Sequence, residues 1–494
     1  MLQQRTEADS LPLVVDLDGT LVAGDIAMES LITVARRNLR SFLCVLALVL
    51  FASRARLKAY LALHDPVDPE GLAFRPAVLD LIAQARAGGR PVILASAAHQ
   101  ANVRRVAHHL GLFDAALGST SRSNLRGKAK LDAIRATLGE QRFDYVGDSM
   151  ADRPIWQAAR TAYTAGIATG TNGGVRLHRG AGVLRSLVKA VRPHQWAKNA
   201  LVLVPLVTSG GLLVPAEWGA ALLAMGCLCV IASSVYLLND VLDLRADRRH
   251  KTKRNRPVAS GELGIGHALL ASATLAAVGL GVAAALLSPL AALAIAAYFG
   301  LTLAYSLRIK SAMIADVLAL AALYTMRLIV GAAAIGVMPS MWLLIFSIFF
   351  FLSLGYLKRF VELNASELEP ERLLSGRGYL RGDCAIVGVS GLAAGIVSVL
   401  VILLFAAEMA DSGEYAVPQL LWLLAVPLLY WINRVWIMAT RGEVDGDPVA
   451  FALTDRRSLV VAAVLGMIAL GAKYGTLTAV EGLPIVGAIA AGAV

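Results

Sequence analysis

After Arg192 the chain becomes a succession of apolar runs, each close to twenty residues long and almost free of charge. Runs of that length match the hydrocarbon thickness of a bilayer, and an α-helix keeps every backbone N–H and C=O bonded inside lipid. Nine candidate spans can be drawn, over 198–215, 217–239, 268–287, 289–307, 312–337, 340–357, 384–407, 417–437 and 458–476. The overall composition, 57% hydrophobic and 16% charged, agrees with a membrane bundle. A soluble enzyme would be nearer half apolar and a quarter charged.

Charge is unevenly spread. Positions 1–190 hold 24 Lys+Arg and 16 Asp+Glu, while the longer remainder holds 22 and 19. The reading is a soluble head over 1–190 followed by an all-α, polytopic membrane part over 191–494. Most of the net charge of +11 lies in the head, which suits work beside an anionic membrane face or on anionic substrates and does not indicate nucleic acid. Loops after the second, fourth, sixth and eighth spans carry clusters such as Arg245 to Arg256 and Arg441 to Arg457, and those after the first, third, fifth and seventh carry no Lys or Arg. The positive-inside rule places the basic loops and the head in the cytoplasm, on the inner face of a cell membrane. Met1–Ser10 is polar, so the chain opens without the pattern of a signal peptide. Four cysteines without metal-ligand or disulfide spacing agree with a reducing side.

The head opens on LPLVVDLDGTLVAGD, a strand-like run ending in Asp16 and Asp18. Two further strand-like runs end near Ser96 and near Asp148, with Asp152 four residues on. Helix-like segments lie between them, as in an open α/β (Rossmannoid) sheet with its site at the strand C-termini. Paired carboxylates suit phosphoryl transfer, with one attacking phosphorus and its neighbour protonating the leaving oxygen. Further acidic residues suit a hard cation, and a hydroxyl with an ammonium suits the phosphoryl oxygens.

DLDGT, Ser96, the lysine of NLRGKAK and GDSMAD, in that order, resemble the four motifs of the haloacid dehalogenase-like hydrolases over roughly 11–170. The resemblance implies Asp16 as nucleophile, Asp18 as general acid/base, Ser96 and Lys130 on the phosphate, and Asp16, Asp18, Asp148 and Asp152 around Mg²⁺. Spacing after Asn124 favours Lys130 over Lys128. Between the first two motifs lies SFLCVLALVLFASRARLK, whose apolar core of about twelve residues is too short to span. A cap helix on the membrane surface, one on the second domain and a buried cap helix all fit it.

In the membrane part, the stretch SSVYLLNDVLDLRADRRHKTKRNRPVASGEL places Asn239, Asp240, Asp243 and Asp247 every three or four residues, on one helix face. Such acceptors suit a Mg²⁺-diphosphate, with the basic run Arg248 to Arg256 meeting the remaining phosphate charge. NDxxDxxxD followed by RPxxxG resembles the UbiA superfamily of membrane transferases, which move polyprenyl groups, usually onto aromatic acceptors, and carry a second acidic motif in a later loop. This chain has GYLKRFVELNASE in that loop, with Lys358, Arg359 and Glu362. Cations there disfavour a prenyl diphosphate donor.

With RPHQWAKN at 192–199, YSLRIKSAMIADV at 305–317 and DGDPVAFALTDRRS at 445–458, the membrane part looks like the decaprenyl-phosphate phosphoribosyltransferase branch. The resemblance implies that a polyprenyl (decaprenyl-type) phosphate is the acceptor and 5-phosphoribosyl diphosphate (PRPP) the donor. Asn239, Asp240, Asp243 and Asp247 would hold a second Mg²⁺ and the diphosphate. Lys198, Arg254, Arg256, Tyr305, Lys310, Lys358, Arg359 and Glu362 are candidates for the remaining substrate contacts. Asp316 and Arg327, on the fifth span, are intramembrane charges and hence candidates as well, or else a structural pair.

The fusion suggests that the head removes the 5-phosphate of the lipid-linked product. The alternative is a prenyltransferase acting on an aromatic acceptor, with an independent or regulatory phosphatase. Lipid length, oligomeric state (a homo-oligomer included) and the placement of the tail EGLPIVGAIAAGAV are left open by the sequence.

Overall fold

The computed structural model describes residues 11–165, 175–177, 182–211, 214–365, 377–444 and 447–475. The tail from 476 lies outside them. Two compact units form, one of Met1–Arg192 with Tyr236–Thr274 and one of Pro193–Val235 with Leu275–Val494.

In the first unit the strands are β1 (Leu13–Val15), β2 (Val92–His99), β3 (Ala115–Ser119), β4 (Asp144–Gly147), β5 (Ala162–Thr164) and β6 (Val175–Arg176). They pair in parallel, in the order β3-β2-β1-β4-β5-β6. Buried, mostly apolar runs make the central strands, and β1 is buried on both faces, as a covered parallel sheet requires. Helices α1 (Ile26–Ala35), α2 (Leu39–Phe51) and α3 (Arg54–His64) form a cap inserted between β1 and β2. Then come α4 (Pro76–Ala87), α5 (Gln100–Leu110), α6 (Lys128–Leu138), α7 (Arg153–Ala158) and α8 (Val183–Ala190). Because β1 lies between β2 and β4, the strand order reverses there, and the ends of β1 and β4 open onto one crevice.

Among the described residues, eight helices are long and apolar enough to cross a bilayer. After the short α9 (Val204–Thr208) come α10 (Pro215–Leu242), α11 (Leu244–Arg249), α12 (Ile265–Leu286), α13 (Pro289–Leu307), α14 (Ala315–Ile335), α15 (Met341–Asn364), α16 (Cys384–Met409), α17 (Ala425–Thr440), α18 (Pro448–Thr454) and α19 (Arg456–Tyr474). Of these, α9, α11 and α18 are too short to span. Loop chemistry sets the ends: Ser288 caps α13 with Pro289 at its first turn, and Gly336 closes α14 at φ +75.

The first expected span, 198–215, is not a long α-helix. A 3₁₀ stretch over Pro193–Leu203 leads into α9, because Pro193 and Pro205 interrupt regular hydrogen bonding and Gly210 turns the chain at φ +87. The segment runs antiparallel to α10: Trp196 donates to Ser233 Oγ at 3.0 Å and Asn199 to Cys229 Sγ at 3.2 Å.

Residues 236–274 pack with the head in the first unit. Glu29 on α1 accepts two bonds from Arg248, at 2.8 and 2.9 Å, with both side chains buried. Asp65 takes a two-point contact from Arg245, and Asp68 pairs with Arg249 at 2.6 Å. Gly261, at φ +76, lies so close to Ala23 that a Cβ there would meet the Ala23 carbonyl oxygen at 1.9 Å. Only glycine fits that approach.

Candidate active sites

The crevice at the ends of β1 and β4 gathers the head's acidic residues. Asp16 follows β1, Asp148 follows β4, and Asp152 closes a one-turn 3₁₀ helix. One oxygen of each lies within 4.8 Å of the others. Lys130, buried on α6, stands 3.0 Å from both Asp16 and Asp152. Lys128 is exposed, so the geometry selects Lys130. Ser96 is fully buried within β2, which continues past it to His99, and its Oγ accepts from Ala98 N at 3.0 Å.

Asp18 stands apart from the cluster. Its carboxylate accepts from Ile26 N at 3.0 Å, at the start of the cap. Burial, with Asp25 and Asp16 nearby, pushes its carboxyl well above the usual range. Burial raises Asp16 to about 6, with Asp152 adding to the rise and Lys130 opposing it. Burial and the charges of Asp16 and Asp152 raise Asp148 to about 7. Carboxylates crowded until they resist ionisation fit a site built for a divalent cation. Gly19 leaves room for this: at φ +73, a Cβ there would meet Asp148 Oδ2 at 2.0 Å.

Three further side chains complete the crevice. Lys58, on α3 of the cap, donates to Ala97 O at 2.6 Å and to Asn124 Oδ1 at 3.1 Å. Burial lowers its pKa, against the charges of Asp18 and Asp25. Arg75 Nε donates to Gly19 O at 3.2 Å, and Tyr145 OH donates to Asp152 Oδ1 at 3.0 Å. Tyr145 precedes the fourth motif on β4 and is buried there. Lys58 and Arg75 reach the crevice across long stretches of sequence that no local motif marks.

The second acidic set is arranged differently. Asn239 and Asp240 end α10, Asp243 caps α11 and Asp247 lies within it. The i→i+4 bonds Asp243 N to Asn239 O and Asp247 N to Asp243 O, both 2.8 Å, carry the helical spacing across the break. Arginines engage the carboxylates. Arg192 and Arg256 both contact Asp240, and Arg256 holds Asp247 at 2.6 Å. Burial raises the Asp247 carboxyl, with Arg256 opposing. Two buried acceptors, Asn239 Oδ1 and Asp240 Oδ2, have no hydrogen-bond donor. Orphaned acceptors beside paired arginines fit a cation and its diphosphate. Asp240, Asp243 and Asp247 do not converge as Asp16, Asp148 and Asp152 do, so the structure brings together three of the seven expected metal ligands. Arg254 is exposed. Arg192, at φ +54, was not singled out by the sequence.

In the second unit, Lys198 and Lys358 converge on Asp447, Lys358 at 3.6 Å. Burial tends to raise the Asp447 carboxyl, but the two ammonium groups hold it far below the usual range. Arg359 is fully buried on α15 and spends its donors within the protein: on Asp316 at 2.5 Å, on Glu362, and on Tyr305 OH at 3.1 Å. Asp316 also accepts from Tyr379 OH at 2.7 Å. Arg377 bonds Tyr305 OH and the Lys310 carbonyl. Arg327 donates to Asn199, Tyr298 and Leu323 O, so Asp316 and Arg327 are not a pair.

Comparison with known proteins finds two families along the chain. Residues 202–376 match the UbiA prenyltransferase family, and residues 13–157 match the haloacid dehalogenase-like hydrolases. The uncharacterized protein y4nM of Sinorhizobium fredii is 36% identical over 92% of this chain and 90% of its own length. Nodulation protein NoeC of Azorhizobium caulinodans is 35% identical over 58% of this chain and 92% of its own. Decaprenyl-phosphate phosphoribosyltransferase of Mycobacterium tuberculosis is 35% identical over 38% of this chain and 63% of its own. The chain carries a haloacid dehalogenase-like hydrolase domain followed by a UbiA prenyltransferase family domain whose described residues include eight helices long and apolar enough to cross a membrane.

Proposed function

We propose that the membrane part transfers a 5-phosphoribosyl group from PRPP to a polyprenyl phosphate, and that the head removes the 5-phosphate from the lipid-linked product. The observation that carries the first half is the convergence of Lys198 and Lys358 on Asp447. A prenyl diphosphate donor held by two metal sites needs a second acidic motif, whereas paired ammonium groups suit a phosphate monoester. The likeness to the mycobacterial phosphoribosyltransferase supports the same choice.

In this reading the lipid phosphate oxygen attacks the anomeric carbon of ribose as the bond to diphosphate breaks. Asn239, Asp240, Asp243 and Asp247 would hold Mg²⁺, which offsets the diphosphate charge, and Arg192 and Arg256 would bind phosphate oxygens. Arg359 is a positioning residue: fixed by Asp316 and Tyr305, it sets the turn of α15 that presents Lys358. The chain's contribution is placement and electrostatics.

In the head, Asp16 attacks phosphorus, Asp18 protonates the departing oxygen and then takes a proton from the water that cleaves the aspartyl phosphate. Asp16, Asp148 and Asp152 would hold Mg²⁺, which offsets the incoming phosphate charge. Lys130, Lys58 and Ser96 bind or orient the phosphoryl group.

The first unit supports a topology for this reading. The head is bonded to residues 243–264, which supports placing both on one side of the bilayer, and the basic loops favour the cytoplasmic side. With α10 crossing once, this reading has the segment between Arg192 and α10 cross as well. The 3₁₀ stretch with α9 covers about 30 Å, enough to do so.

Purified protein given Mg²⁺, ribose-labelled PRPP and a polyprenyl phosphate should form a lipid-linked ribose. Label that stays water-soluble, with product formed instead from a prenyl diphosphate and an aromatic acid, contradicts the proposal.

A further inference from the structure

We propose that α2 is an interfacial membrane helix, inserted in the bilayer leaflet on the head's side. It packs on the cap through a narrow stripe, Ser41, Val45 and Leu48, of which only Val45 is fully buried. Leu39, Phe42, Leu43, Leu46 and Leu50 form the opposite face and are 42–70% exposed, and Phe51 at the helix end is 87% exposed. Apolar residues at i, i+3, i+4, i+7 and i+11 directed outward form a continuous patch of a kind that soluble surfaces rarely leave bare.

Two observations identify a lipid surface as the occupant. The patch is bordered by exposed Arg40, Arg54 and Arg56, with no acidic residue on α2 or α3, which matches anionic headgroups. The start of α2 is also tied to the end of a membrane span: Arg36 donates to the Leu242 carbonyl, the last residue of α10, at 2.7 Å. A helix beginning there lies at the level where the bilayer's interface begins. With about twelve apolar residues it cannot cross, so it lies in the interface with its apolar face toward the acyl chains.

Insertion would connect the bilayer to the phosphatase crevice. After α2 the chain turns through two residues into α3, whose Lys58 bonds Ala97 O and Asn124 Oδ1 beside Asp18. The proposal concerns where α2 lies and stands whether or not the head is an active phosphatase.

The test uses the full chain in nanodiscs of mixed phosphatidylglycerol and phosphatidylcholine. In a Cys44→Ser background, Leu43→Cys, Leu46→Cys and Leu50→Cys are labelled with an environment-sensitive fluorophore, and Arg104→Cys on α5 is the control. Shallow doxyl-labelled lipid should quench at least two of the three α2 probes by about half or more, while aqueous iodide quenches only the control. Iodide quenching at α2 without lipid quenching overturns the proposal. So does protection from both quenchers with energy transfer between labelled copies, which would show a second copy covering the face.

Discussion

The two acidic sites use the same residue types on different scaffolds. In the head, Asp16 and Asp148 stand at the ends of adjacent parallel strands, about one strand spacing apart, and Asp152 folds back beside them. The sheet places Asp16 beside Asp148, so these carboxylates stand together before any substrate arrives. At the end of α10 and into α11, Asp240, Asp243 and Asp247 follow one another at helical spacing, with Arg256 bridging Asp240 and Asp247 and Arg192 pairing with Asp240. Under the proposed function, such a site would close around a metal when a diphosphate brings the groups together. One site would then take a monoester that arrives without metal, and the other a metal-diphosphate that arrives as a unit.

The predictions separate the two sites. Asp16→Asn should lower hydrolysis of a soluble aryl phosphate by about 10⁴-fold and leave phosphoribosyl transfer unchanged. Transfer falling in parallel would mean that the sites are not separate. Next in size, Glu29→Ala strands the buried Arg248 guanidinium and should cost about 3–5 kcal/mol of the first unit's stability, read by thermal unfolding. A Glu29→Leu, Arg248→Met double variant should recover most of that loss. Asp240→Asn should cut transfer by about 100-fold while aryl phosphate hydrolysis persists.

The smallest effect is in pH. Asp16 and Asp148 have raised pKa values, about 6 and about 7, so protons compete with metal over that interval. Mg²⁺ affinity of the head, measured by calorimetry in Asp240→Asn, should weaken about tenfold as pH falls from 8 to 6. Without metal, the native state binds more protons than the unfolded chain between the ordinary value of 3.8 and these raised values. Stability of the metal-free head should therefore decline as pH rises through that window, and Mg²⁺ should reverse the decline.

The motifs of the head were legible in the sequence: three of the four lie at the end of a strand or the start of a helix, where local pattern fixes position, and the remaining one, at Ser96, lies inside β2 within an apolar run. Lys58 and Arg75 were not, since contacts between a cap and a crevice depend on packing across long sequence separations. The apolar runs showed the membrane part, but not the 3₁₀ form of Pro193–Leu203, because hydropathy does not distinguish one helix type from another. The acids Asp240 and Asp247 were read from spacing, while Arg192 was missed because it lies 48 residues from Asp240. Asp316 and Arg327 share one helix and suggested a pair. Tertiary packing gives Asp316 to Arg359 on α15 instead, and leaves Arg327 with Asn199 and Tyr298.

The central claim is that the two sites act in sequence on one lipid. The most direct measurement supplies Mg²⁺, a polyprenyl phosphate and PRPP labelled with ³²P in its 5-phosphate, and follows both lipid-extractable label and free phosphate. The wild type should release labelled phosphate and leave an unlabelled lipid-linked ribose, and Asp16→Asn should retain the label on the lipid. Equal release of labelled phosphate from wild type and Asp16→Asn, or a labelled lipid that the wild type leaves intact, would contradict it.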